Sequence, residues 1–202
     1  MSSATGESGE GLRVRKRRET MRRITDAGIR LFLERGYDAT TLDDIAAAAA
    51  ISRRTIFHYF KSKDDILLSL QSGMGAMIAD AVRKAAPDKQ PIEAVRDAVI
   101  QICAAVPPDE MLAIDRLMRS SGTVQARKQA SYVEHEKVLL AALRERCPGP
   151  EREPALKLVA MIAMGAIRLS TEAFDQEAGA RTMPVLLQET FAALESELRP
   201  RP

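Results

Sequence analysis

The groups in this sequence best suited to chemistry are guanidinium and ammonium groups, and they are clustered. Residues 13–23 hold Arg13, Arg15, Lys16, Arg17, Arg18, Arg22 and Arg23 against the single carboxylate of Glu19. A second basic pair, Arg53 and Arg54, stands between Ser52 and Thr55. A guanidinium fork bonds phosphate oxygens or guanine O6 and N7 in pairs, and a threonine touches a thymine methyl, so these types suit a nucleic acid. The plain alternative for the cluster over 13–18 is a solvated charged tail. Groups for covalent or metal chemistry are sparse. The histidines are His58 and His135, the cysteines are Cys103 and Cys147, and none stands at ligand spacing from another. GxSxG, GxxxxGK[ST], HExxH and a strand-following GxGxxG are missing, so the expectation is no enzyme, no cofactor and no metal.

The elements that must position these residues read as helices throughout. Apolar positions at Met21, Ile24, Ala27, Gly28, Leu31 and Phe32 follow a 3.6-residue period, which predicts an amphipathic helix from residue 19 to Gly36. Gly36 suits a left-handed C-cap, and Thr40 and Thr41 then offer N-caps, with Asp44 completing a capping box for a short helix over 42–49. Ser52 caps a second short helix, RRTIFHYF. Two short helices joined across a tight turn have the length pattern of a helix-turn-helix. A further helix is expected from residue 62 or 63 to 86, and others over 91–105, 109–120, 123–146, 151–177 and 184–198, separated by Pro and Gly. No stretch alternates like a strand, so the expected class is all-α.

The whole chain has 202 residues, 46% of them hydrophobic and 29% charged, which is enough for a sizeable core. Its formal charge of +2 hides an asymmetry, because residues 1–65 carry 13 Lys and Arg against 10 Asp and Glu. Residues 1–12 are small and polar and read as a disordered tail, continuing into a basic arm to residue 18. The expected organisation is therefore 1–18 tail and arm, 19–65 helix-turn-helix domain, and 66–202 a larger helical domain. Few cysteines, no secretory leader and no run of about 18 apolar residues point to the cytoplasm and away from membranes.

Residues 40–67, TTLDDIAAAAAISRRTIFHYFKSKDDIL, resemble the DNA-binding signature of the TetR family of bacterial transcriptional regulators. The resemblance rests on the threonine pair before a short helix, the Ala-rich turn ending in Ser, the aromatic-x-aromatic-Phe close, and the Ser-Lys opening of the next helix. It implies a double-stranded DNA operator as partner, with Thr55, His58 and Tyr59 facing the groove or its walls beside Arg53 and Arg54. Lys63 and Thr41, at helix N-termini, are expected to hold phosphates. The arm of Arg13, Arg15, Lys16, Arg17 and Arg18 is expected to enter an adjacent minor groove or follow the backbone. Two positions depart from the family pattern. Phe57 stands where many members have a phosphate-contacting tyrosine, and Ala50 where the turn often has glycine, at a cost of roughly 1 kcal/mol if it is left-handed. Phe57 and Phe60 are expected to pack in the core.

Beyond residue 66 the chain matches the family only in length and helical content. Residues 158–167, LVAMIAMGAI, are an unbroken apolar run that needs cover on every side. Ala160, Ala163 and Ala166, with Leu187, Phe191, Leu194 and Leu198 of the last helix, are expected to form a homodimer interface. Seven of nine methionines follow residue 70. Met74, Met77, Met111, Met118, Met161 and Met164, with Tyr132 and Arg168, are expected to wall a pliable pocket for a small-molecule effector, ordinary core filling being the alternative for each methionine. Arg168 could equally pair with Glu172, four residues on. The expected function is a repressor released from a palindromic operator by that effector. The competing expectation is a helical small-molecule carrier with a vestigial DNA-binding domain.

Overall fold

The computed structural model describes residues 6–198, and among them all regular structure is helical. The chain divides into two compact units, one of residues 1–71 with 120–124, the other of residues 72–119 with 125–202.

The first unit contains α1 (Gly6–Arg35), α2 (Leu42–Ala48), α3 (Arg53–Tyr59) and α4 (Lys63–Ser69). Isolated helices of seven residues are unstable in water, so the three short ones depend on caps and on burial. The Thr41 hydroxyl accepts from Asp44 N–H (3.1 Å) while the Asp44 carboxylate accepts from Thr41 N–H (2.9 Å). Ser52 accepts from Thr55 N–H (3.1 Å), and Ser62 and Asp65 form a second reciprocal box. Thr40 is fully buried and closes the end of α1 instead of opening α2, its hydroxyl donating to Gly36 O (2.8 Å). Ile24, Leu31, Phe32, Ile45, Ile56, Phe60, Ile66 and Leu67 form the core. Gly28 lets α4 approach α1 closely, since a Cβ there would stand 2.8 Å from Ile66 Cγ2.

The expected disordered tail and flexible arm are corrected by α1, which is already helical at Gly6; residues 1–5 of that tail lie outside the described residues. Residues 12–27 contain neither Pro nor Gly and six of the sixteen are Arg, a good helix former, so nothing interrupts the helix once the amphipathic half is docked. Arg15–Glu19 and Arg22–Asp26 add pairs one turn apart.

The helix expected from 62 or 63 to 86 is likewise two helices, α4 and α5 (Met74–Lys84), broken at residues 70–73. The Ser69 hydroxyl donates back to Ile66 O (2.7 Å), and Leu70 and Gln71 bond carbonyls three residues back, which tightens the turn before Gly73. The second unit continues with α6 (Pro91–Ala104), α7 (Pro108–Arg119), α8 (Gly122–Arg146), whose first residues count with the other unit, α9 (Glu153–Gln176) and α10 (Met183–Leu198). Helix α6 packs on α5, α9 and α10, around a core that includes Val82, Val95, Val99, Leu139, Leu143, Ala163, Leu187 and Phe191. By length and composition the stretch Pro150–Gln176 could cross a membrane, yet Leu156, Ala160, Ala163, Met164, Ile167 and Phe174 on it are core residues.

Two local conformations make testable statements. Ala50 has φ +51°, and the Ile51 N–H reaches Ala46 O (3.0 Å), as in a Schellman turn. Ala50→Gly should therefore raise the stability of the first unit by about 0.5–1 kcal/mol, read from the urea midpoint; an unchanged or lower midpoint contradicts the strain. His135 is buried against Gly75, its Nδ1 has no hydrogen-bond partner among the described residues, and burial holds its pKa below the ordinary 6.5. The neutral ring is favoured in the folded state, so this contribution is full above about pH 6.5 and is lost as pH falls below it. Melting curves at about pH 7.5 and about pH 5.5 should show a smaller acid loss in His135→Gln than in the parent.

Candidate nucleic-acid interface

Helix α3 has two sharply different faces. Ile56 and Phe60 point into the core, while Arg53, Arg54, Phe57 and His58 are exposed on the outer side, with Thr55 and Tyr59 half-buried between. The exposed residues are therefore presented by a helix anchored through its opposite face. Arg53 is oriented by Asp43 of α2 (Nε to Oδ1, 3.1 Å) and lies over the Phe57 ring (5.9 Å). Among the described residues Arg54 has no ion-pair partner and extends freely from the first turn of α3. Thr55 Oγ1 is bonded to Ser52 Oγ (2.7 Å), so its methyl is turned by the cap.

Phe57 is 46% exposed, against the expectation that it packs. Ile56 and Phe60, four apart, already occupy the inward stripe of a seven-residue helix, and residue 57 falls outside it. That spacing was the available signal: an aromatic one residue off the core stripe belongs to the outer face, where it suits a thymine methyl.

The far end of α3 meets the basic half of α1. The Arg17 guanidinium lies 5.6 Å from the centroid of the Tyr59 ring, and Tyr59 packs edge-on against His58 (5.4 Å). Arg13, Arg15, Lys16 and Arg18 are exposed on the same helical extension. Like charges three and four residues apart on one helix, as at Arg13 and Arg17, repel one another, a cost that a bound polyanion removes.

Lys63 and Thr41 are more committed than expected. The Lys63 ammonium donates to Tyr37 O (2.7 Å) and lies over the Tyr37 ring (4.5 Å). The Tyr37 hydroxyl donates to Asp64, and burial together with that bond raises its pKa above the ordinary phenol range. Thr41 is held by Asp44, whose carboxylate stands beside the N–H groups a phosphate would use, and whose own pKa those bonds lower.

In the second unit the expected methionine pocket does not assemble. Met118 and Met164 are core residues, Met74 and Met111 pack against that core, and Met77 and Met161 are about half exposed (52% and 48%). They lie on different helix faces, so composition alone could not gather them. Met118, Tyr132 and Arg168 do share a cavity of about 170 Å³ between α7, α8 and α9, but its other walls are mostly charged or amide side chains, including Asp115, Arg119, Lys128, Glu172 and Asp175. The Cys103 thiol, buried and pushed up to about 11, is protonated at neutral pH.

The expected interface set is also redistributed. Ala160, Ala163, Ala166, Leu187 and Phe191 are buried within this chain, the small alanines letting helices approach closely. The outward apolar residues of α9 are instead Leu158, Met161, Ile162 and Leu169, with Gly165 among them. Beside them, half-buried Leu194 shares an apolar groove of about 540 Å³ with Ile162, Gly165, Ala166, Leu169 and Phe191, and Leu198 is exposed.

Taken together these features define a helix-turn-helix protein with a larger helical second unit. Residues 24–70 match the family described as bacterial regulatory proteins, tetR family, and residues 89–199 match the MftR C-terminal domain. The chain belongs to the TetR family. It is 30% identical over 114 residues to the HTH-type transcriptional regulator TcmR of Streptomyces glaucescens, a match covering 56% of this chain and 50% of TcmR. The chain thus spans about half the length of that curated relative, and less of the HTH-type regulator HbdR of Aromatoleum sp. (strain CIB), 36% identical over 44% of this chain and 39% of its own. The fold is that of the TetR-family repressor FadR of Thermus thermophilus, solved with lauroyl-CoA (TM-score 0.62, 23% identity, 90% of this chain and 96% of that one).

Proposed function

We propose that the chain is a dimeric transcriptional regulator of the cytoplasm that represses from a palindromic operator and is released by a small-molecule effector. The observation that carries the reading is the outer face of α3, where Arg53, Arg54, Phe57 and His58 are exposed on a capped helix and Arg17 of α1 stands over Tyr59. The residues sort by chemistry. Arg54 and Phe57, with Thr55, are placed to read base edges, and Arg13, Arg15, Lys16, Arg17 and Arg18 supply charge along the backbone. Lys63 and Thr41 act chiefly by holding α4 and α2 in place. Relatives of this fold are named as regulators, and FadR of Thermus thermophilus is named as a repressor bound to lauroyl-CoA.

Pairing of two copies follows from α9. A stripe of Leu158, Ile162, Gly165 and Leu169 at three- and four-residue spacing, beside Leu194, is too apolar and continuous to face water. A two-fold pairing there would make a four-helix bundle, and reading a palindrome then requires the two copies of α3 to enter successive major grooves, about 34 Å apart. An effector that changes this spacing lowers operator affinity.

Duplex DNA from around the protein's own gene, titrated by fluorescence anisotropy against competitor DNA at two salt concentrations, tests the reading. Specific binding should survive competitor, and Arg54→Ala should weaken it by about tenfold or more while leaving non-specific binding nearly unchanged. Binding that is fully competed at every sequence tried refutes it. Separately, Leu169→Arg should convert the dimer to a folded monomer by light scattering and abolish palindrome binding; a dimer that persists places the interface elsewhere.

A further inference from the structure

The cavity between α7, α8 and α9 holds groups left with unused hydrogen-bonding capacity. Its floor is Asp115, whose side chain is 8% exposed, and Lys128, at 14%. One carboxylate there faces two cations: Arg119 Nη2 stands 2.8 Å from Asp115 Oδ2, and Lys128 Nζ 3.7 Å from Oδ1. The ammonium has three donors, and 3.7 Å is longer than a hydrogen bond, so Lys128 is buried with its donors under-used. Burial accordingly lowers its pKa. Among the described residues Asp115 Oδ2 meets Arg119 as an ion pair but has no well-aligned hydrogen-bond donor. Arg119 also pairs with Asp175 at the rim, so its charge is shared between two carboxylates. Tyr132, 8% exposed, lines the same space, and among the described residues its hydroxyl makes no hydrogen bond. Arg168 and Glu172 stand at the rim and, among the described residues, do not form the ion pair that their spacing allows.

We infer that this cavity is a site for a small carboxylic acid that also bears an amino or hydroxyl group, its carboxylate taken by Lys128, Tyr132 and Arg168 and its donor by Asp115 and Glu172. Under-used donors and acceptors are both present, so a ligand with only one of them would leave a buried polar group unmatched, which is costly. At about 170 Å³ the cavity is below the range of about 300 Å³ and upward that holds drug-sized ligands, and a long acyl chain would lie against charge. The site also has a route to regulation through chain connectivity. Arg119 and Gln125, both in its lining, are the residues on either side of Ser120–Val124, the segment grouped with the helix-turn-helix unit. This assignment of the effector's class rests on the regulator reading above.

The test is thermal unfolding of the full chain with free amino acids and 2-hydroxy acids as probes, beside their methyl esters and amides, which lack the carboxylate, and lauroyl-CoA. At least one acid should raise the melting temperature while its ester and amide do not. Lys128→Met should weaken that acid by about tenfold or more, and Lys128→Arg should restore part of the loss. Arg168→Gln, at an exposed and unpaired position, provides a second variant whose folding is not in question and should also weaken the acid. No shift with any acid, an equal shift with the esters, or a shift indifferent to both Lys128→Met and Arg168→Gln overturns the site. Amino acids acting without hydroxy acids, or the reverse, identifies the donor. Specific DNA binding released by lauroyl-CoA but by no acid leaves the regulator and removes this site. Acid binding with the expected variant pattern, in a chain that binds no DNA specifically, leaves the site and removes the regulator.

Discussion

Three helices of seven residues carry the helix-turn-helix unit, and none is long enough to persist by its own hydrogen bonds. What holds them is a set of side-chain oxygens on Thr41, Ser52 and Ser62, each accepting from a backbone N–H in the first turn that follows it. Each cap fixes where a helix starts, and the few buried residues after it fix its rotation. With Ile56 and Phe60 inward, Arg54, Phe57 and His58 have no direction left but outward. The left-handed Ala50 sets how α3 leaves α2. The exposed face of α3 is thus a consequence of capping and of two core residues.

Charge is treated differently in the two units. In the first, cations are left in water: Arg13, Arg15, Lys16, Arg17 and Arg18 are all exposed on a continuous helix, which keeps them at fixed angles to α3. Surface pairs such as Arg15–Glu19 contribute little to stability, so little is lost when these cations exchange a carboxylate for a phosphate. In the second unit a few charges are buried together, with Asp115 shared between Arg119 and Lys128. Removing one member of such a group is costly, and so is leaving it incompletely paired. The first arrangement suits a long polyanion, and the second a small ligand that completes a set of partners.

Helix α9 is apolar around most of its circumference and divides its faces by side-chain size. Alanines at 160, 163 and 166 face the core, where close approach to neighbouring helices requires them, and Leu158, Met161 and Leu169 are left outside. The apolar run was legible in the sequence, but the alanines expected at an interface between chains are buried within this one. Small residues at helical spacing read equally well as a contact between chains or within one.

The sequence by itself determined the helical class, nearly every helix boundary, the caps at Thr41 and Ser52, and the family to which the chain belongs. The helices and caps depend on residues within about five positions of one another, through hydrogen bonds to near neighbours and the 3.6-residue period, and the family on a pattern of such signals along residues 40–67. Tertiary structure decided the rest. It engaged Lys63 with the α1–α2 connection, dispersed the methionines and brought Asp115, Lys128, Tyr132 and Arg168 to one cavity. Those outcomes turn mainly on which face of each helix meets which neighbour, a matter of packing between residues far apart in the chain that local period and spacing do not encode.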